Sequence, residues 1–146
     1  MRVMATVIPM ALAVAACHPP DAAQVALSTS ARALGEIDAV VAGIFTNAHA
    51  EALEDSETRD EYNAAMRPMF RAEDGLRIAR AALLSSQAAL DAWDSAGEES
   101  TFRATLPALL GALEAMLQNL QGIAAPIPDD LIEGVRLVRS LLGGAS

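Results

Sequence analysis

Few side chains in this sequence could do chemistry: one cysteine, two histidines and scattered carboxylates. Cys17 is the single thiol, and a thiolate is a strong nucleophile. His49 lies close to Glu51, Glu54 and Asp55, residue types that serve as general acids, general bases or metal ligands. The sequence contains no Glu-x-x-His or His-x-x-x-His spacing, phosphate-binding glycine loop, dinucleotide fingerprint or Gly-x-Ser-x-Gly motif. We therefore expect His49 on a helix surface rather than at a metal, and we expect neither a cofactor nor enzymatic activity.

Cys17 ends a segment that has the organisation of an export signal. Arg2 precedes an apolar stretch, residues 3–16, which is shorter than the roughly 20 residues of a membrane-spanning helix. Residues 14–17, Val-Ala-Ala-Cys, resemble the lipobox of bacterial lipoproteins. The resemblance implies cleavage between Ala16 and Cys17, a thioether between Cys17 and diacylglycerol, and acylation of the new amino terminus by a fatty acid such as palmitate. Two or three acyl chains suffice for stable attachment to a bilayer.

Three alternatives remain open for this segment. Cleavage after Ala15 would leave Cys17 as a free thiol, the segment could stay as a short membrane anchor, or it could form part of a buried core. We favour lipidation, with residues 1–16 as the signal peptide, 17–21 as the acylated cysteine and proline-rich spacer, and 22–146 as the folded domain. By the same resemblance, histidine rather than aspartate at position 18 favours the outer membrane, with the domain facing the periplasm.

Composition limits the partners of this domain. The formal net charge is −9 and the chain contains no lysine, so it lacks the basic surface that nucleic acid requires. An acidic domain also gains nothing from anionic lipid headgroups, so acylated Cys17 must make the attachment to the bilayer. One cysteine cannot form an intrachain disulfide. Abundant alanine and leucine with few β-branched residues predict an all-α domain.

Apolar spacing predicts two long helices. The first runs from Asp21 to about Asp55 on the face of Leu27, Leu34, Ile37, Val41, Ile44 and Ala48. Thr58 and Glu61 then form a predicted capping box. The second helix repeats Tyr62, Met69, Leu76, Leu83 and Leu90 every seven residues, interleaved with Ala65, Ala72, Ala79, Ser86 and Trp93. This pattern predicts a tight antiparallel hairpin, in which Pro68 either kinks the second helix or marks its start, and Glu73 pairs with Arg77.

Two shorter helices are predicted to pack on this hairpin in a bundle-like fold. We expect Ser100 to cap the third, whose face contains Phe102, Leu106, Leu109, Leu113, Met116, Leu120 and Ile123. Pro107 could shift its start. The fourth opens at Pro128, turns Leu131, Val135, Val138 and Leu142 to one side, and ends at the glycines 143 and 144.

The third helix has a wide apolar surface. Residues 106–127 carry only one charge, Glu114, but their polar amides and that carboxylate argue against a membrane span. Leu110 and Leu117 flank the main stripe, so they are either buried inside a monomer or form an interaction face for a protein partner or for self-association. We expect a membrane-anchored binding or structural protein. The alternative is a phage or mobile-element lipoprotein acting in lysis or exclusion.

Overall fold

The computed structural model describes residues 18–143, which form four α-helices and no strand. They are α1 (Asp21–Asp55), α2 (Arg59–Ala96), α3 (Glu99–Gly122) and α4 (Asp129–Gly143). The signal peptide prediction and Cys17 lie outside the described residues. The predicted fold class, all-α with a long helical hairpin and two shorter helices, is confirmed. Helix α1 has the predicted bounds, Asp21 to Asp55, so Asp21 belongs to the helix and the spacer ends at Pro20.

Each helix packs on the next one along the chain, and α4 returns to pack on α1. The antiparallel register of α1 and α2 follows from two contacts, Asp38 with Arg80 and His49 with Tyr62. The register of α2 and α3 follows from the hydrogen bond between the Ser86 and Thr105 hydroxyls, 2.9 Å. The helices therefore form a closed bundle with short connections.

The hairpin is longer than the bundle. Near the end of α3, the amide nitrogen of Asn119 donates to the carbonyl of Arg71 at 3.4 Å, and α3 ends three residues later at Gly122. Residues 45–55 of α1 and 59–70 of α2 extend beyond this point, where Phe45 meets Phe70, and we call them the distal arm. The opposite end, where His18 meets the end of α2, is called the base. With 35 residues, α1 is about 52 Å long at 1.5 Å per residue.

Helix boundaries confirm one predicted cap and correct two other predictions. The amide of Glu61 donates to the Thr58 hydroxyl at 3.2 Å, and the amide of Thr58 donates to the Glu61 carboxylate at 3.2 Å, so the capping box is present. It starts α2 at Arg59, and Pro68 lies inside the helix, so the start at Pro68 was wrong. Ser100 is not a cap, because α3 begins one residue earlier at Glu99.

The predicted apolar stripes form the core. In α2, Met69, Leu76, Leu83 and Leu90 are buried, whereas Tyr62 is half-buried. In α3, every residue of the stripe from Phe102 to Leu120 is buried and Ile123 is half-buried. The rings of Trp93 and Phe102 lie 5.5 Å apart near the base. Burial of this stripe drives the hairpin and α3 together.

Two positions allow close approach between helices because they lack a β-carbon. A β-carbon at Gly134 would lie 3.1 Å from the hydroxyl oxygen of Ser30, which donates to the carbonyl of Ala26 at 2.7 Å. A β-carbon at Gly75 would collide with the amide nitrogen of Asn119. Gly134 therefore brings α4 close to α1, and Gly75 brings α3 close to α2.

Ion pairs of the described residues lie in the bundle and at the base. Asp38 pairs with Arg80 at 3.0 Å, and Glu114 on α3 pairs with Arg139 on α4 at 2.6 Å. The others are Arg32–Asp130, Arg103–Glu99, Arg136–Glu133, Arg77–Asp74 and His18–Asp94. The guanidinium of Arg77 lies 2.5 Å from the carboxylate of Asp74, three residues earlier. The predicted pair between Glu73 and Arg77 was therefore wrong.

Candidate functional site

An aromatic cluster joins the two helices of the distal arm. The imidazole Nδ1 of His49 lies 2.7 Å from the hydroxyl of Tyr62, and the two rings meet edge to face. Phe45, one turn before His49, stacks on its ring at 6.3 Å and contacts the ring of Phe70 at 6.1 Å. Although His49 is exposed, its contact with Tyr62 joins α1 to α2. The imidazole therefore holds the two arm helices in register.

Apolar side chains remain exposed beside this cluster. Leu53 is 60% exposed and Phe70 is 41% exposed. Leu53 also borders a depression of about 310 Å³ at the end of the arm, lined by Leu53, Ser56, Thr58, Arg59 and Tyr62. The arm buries less of its apolar surface than the bundle does, because only two helices meet there.

A second depression, of about 360 Å³, lies between the same two helices and has a different chemistry. Its lining consists of Ala48, Glu51, Ala52, Asp55, Ser56, Glu61 and Ala65. Three alanines give it a smooth apolar floor, and three carboxylates stand along its sides. We call it the acidic groove.

The acidic groove continues the surface that faces the core lower in the molecule. Residues seven apart lie on nearly the same face of a packed helix. On α1, Ile37 is fully buried, Ile44 is half-buried and Glu51 is exposed, which is one such series. A second series changes in the same way, from buried Leu34 and Val41 to half-buried Ala48 and exposed Asp55. The face of α1 that packs in the bundle therefore becomes acidic in the arm.

The floor on α2 also continues a packed face. Ala72 and Ala79 are fully buried, and Ser86, seven residues after Ala79, bonds to Thr105 of α3. This series is therefore the side of α2 on which α3 packs. Ala65 is the next member towards the arm, and it is exposed because α3 ends at Gly122. The acidic groove thus lies where a further helix would extend the bundle.

The carboxylates at the end of α1 lie where the helix disfavours them. Partial negative charge collects at a helix C-terminus, and neighbouring carboxylates typically destabilise it by about 0.3–1 kcal/mol. Glu54 and Asp55 belong to the last turn of α1, which contains no basic residue. By contrast, Asp94 in the last turn of α2 lies 2.9 Å from the imidazole of His18. Among residues 18–143, no ion pair involves a carboxylate of the distal arm.

The predicted interaction face on α3 is partly covered. Leu110 and Leu117 are half-buried against the core. They share a face with Arg103 and Glu114, which contact the Leu141 carbonyl and the Arg139 side chain of α4. The predicted lipidation and cleavage residues, Cys17 and Ala16, lie outside the described part of the chain.

Sequence reasoning did not identify the distal arm as a surface of interest. The sequence does contain an indication of this surface. Ile37, Ile44 and Glu51 are spaced seven residues apart on one face of α1, and the residue type changes from isoleucine to glutamate along that face. Only the apolar members of that series entered the prediction. Within residues 18–143, no group of three or more histidine, cysteine, aspartate or glutamate side chains could hold a metal ion.

Comparisons with known proteins found no similarity: no family model matches the chain, and neither curated proteins nor solved structures gave a match. The helices of the described region were also tested for membrane spans. None of them combines the length and the apolar character needed to cross a bilayer.

Proposed function

We propose that this chain is a bacterial envelope lipoprotein, anchored through acylated Cys17, whose helical domain acts by binding. The observation that carries the proposal is the Val-Ala-Ala-Cys sequence of residues 14–17 at the end of a short apolar segment. Residue 18 is histidine rather than aspartate, which supports attachment to the outer membrane on its periplasmic side.

The geometry of the described residues is compatible with this anchoring. His18, which directly follows Cys17, lies at the base, where its imidazole contacts Asp94. Three residues separate Cys17 from the start of α1, and at about 3.1 Å per residue they would extend about 9 Å in polyproline geometry. An acyl group on Cys17 would therefore hold the base near the bilayer and direct the distal arm away from it.

The exposed surface of the distal arm supports a binding role rather than a catalytic one. Its exposed surface combines apolar side chains with carboxylates that lack ion-pair partners among the described residues. Surfaces of this kind serve protein recognition, because apolar contacts supply affinity and charges supply orientation.

Mass spectrometry of the protein purified from membranes tests the anchor. We expect an N-terminal peptide that begins at Cys17 and carries a diacylglycerol and an N-linked fatty acid. A Cys17→Ser variant should lose the lipid and accumulate with residues 1–16 still attached. Wild-type protein recovered from a soluble fraction with an unmodified Cys17 would contradict the proposal.

A further inference from the structure

The acidic groove has the shape of a vacant helix position. On the α2 side, the floor extends the face of α2 that packs on α3. Ala72 on this face is fully buried, whereas Ala65, seven residues earlier, is exposed. On the α1 side, Ala48 and Ala52 complete the floor. Small side chains on both helices let the backbone of a third helix approach closely.

The negative charge of the groove indicates what kind of partner would bind there. Glu51 and Asp55, one turn apart on α1, line the groove together with Glu61 on α2, whose carboxylate also accepts hydrogen bonds from the amides of Glu57 and Thr58. Between residues 49 and 61 the chain has six acidic side chains and a single arginine, Arg59. Positive side chains entering from a partner would compensate these carboxylates and the negative end of α1 together.

From this combination we propose that the acidic groove is the docking site for a positively charged, amphipathic helix of a partner protein. The helix lies between α1 and α2, on the side where α3 and α4 complete the bundle. Its apolar side rests on the alanine floor, and its lysine or arginine side chains reach Glu51, Asp55 and Glu61. This inference rests on the proposed binding role and adds the chemistry of the partner.

A second copy of this chain does not fit the same description. The chain is acidic and contains no lysine, and six of the nine arginines in residues 18–143 already pair with its own carboxylates. An acidic helix brought into the acidic groove would be repelled.

The test uses full-length protein in nonionic detergent and a synthetic 18-residue helix with leucine and alanine on one side and lysine on the other. Titration followed by backbone amide NMR should show binding, with shifts centred on residues 44–66. The same peptide with glutamate in place of lysine should not bind. Neutralising the groove with Glu51→Gln and Asp55→Asn should weaken binding about two- to thirtyfold, because two exposed charge pairs are lost and each contributes modestly.

Matched variants separate the groove from general acidity. Glu36→Gln with Asp91→Asn removes the same number of exposed carboxylates outside the arm and should leave affinity unchanged. Ala65→Phe should fill the groove and block binding without any change in charge, whereas Ala64→Phe, one position away on the exposed side of α2, should not. Circular dichroism melts of both phenylalanine variants show whether the fold is retained.

Several outcomes would overturn the inference. They are the absence of binding, equal loss of affinity in the two charge-neutralised variants, and shifts centred away from the arm. Sedimentation that shows a dimer dissociated by Ala65→Phe would assign the groove to a second copy instead. A lipid analysis that finds Cys17 unmodified would refute the anchor and leave the peptide result standing, so the two proposals fail separately.

Discussion

Leu83 and Leu84 are neighbours on α2 with opposite surroundings: Leu83 is 6% exposed in the core and Leu84 is 65% exposed. Leu83→Ala should lower the free energy of unfolding by about 2–5 kcal/mol, because it removes buried apolar contacts and leaves a cavity. Leu84→Ala removes the same atoms from the surface and should change it by less than about 0.5 kcal/mol. Chemical denaturation of the two variants measures the difference, and similar losses would refute the assignment of the core face.

Two helix-interior glycines should respond differently to alanine. A β-carbon at Gly35 would point into open space, so Gly35→Ala should stabilise the protein by about 1 kcal/mol through helix propensity. At Gly75 the same substitution forces the Asn119 amide away from its bond with the Arg71 carbonyl and crowds the Met116 sulfur at 3.1 Å. We expect no gain there. Thermal melts compare the two variants, and equal stabilisation would show that α3 does not approach α2 at Gly75.

The predicted interaction face on α3 has its own test. Leu110→Glu or Leu117→Glu should abolish self-association or partner capture while helicity is retained, if these half-buried leucines are covered by another protein. Leu109→Glu, at a fully buried neighbour, should unfold the domain and serves as the control. Sedimentation and circular dichroism report the two effects. Unfolding of a monomer by Leu110→Glu would place that leucine in the core.

Much of the fold could be predicted because the sequence expresses it locally. The stripe from Met69 to Leu90 has one period over three heptads, and the Thr58–Glu61 capping box is a short-range pattern. The predicted cap of α3 was off by two residues, because Glu98 takes the cap position without a side-chain bond, which no residue preference indicates. Pro68 was ambiguous because a proline inside a helix is tolerated only when neighbouring contacts compensate it.

The surface of the arm could not be predicted in the same way. Whether Ala65 is covered depends on where α3 ends relative to α2, and that is a tertiary register rather than a local preference. The partner of Arg77 could not be predicted either, because Glu73 and Asp74 lie four and three residues before it and both spacings allow an ion pair on a helix. In the structure, Arg77 pairs with Asp74.

The extension of the hairpin beyond the bundle makes the reach of the arm adjustable through the length of its two helices. Seven residues added to each arm helix would move the loop at residues 56–58 outward by about 10 Å and return every side chain to nearly its former heading. Five residues added to each would lengthen the arm by about 7.5 Å but rotate each arm helix by about 140° about its own axis, so the apolar faces of the two helices would no longer meet. Only insertions that preserve the seven-residue repeat would therefore lengthen the arm and keep its packing.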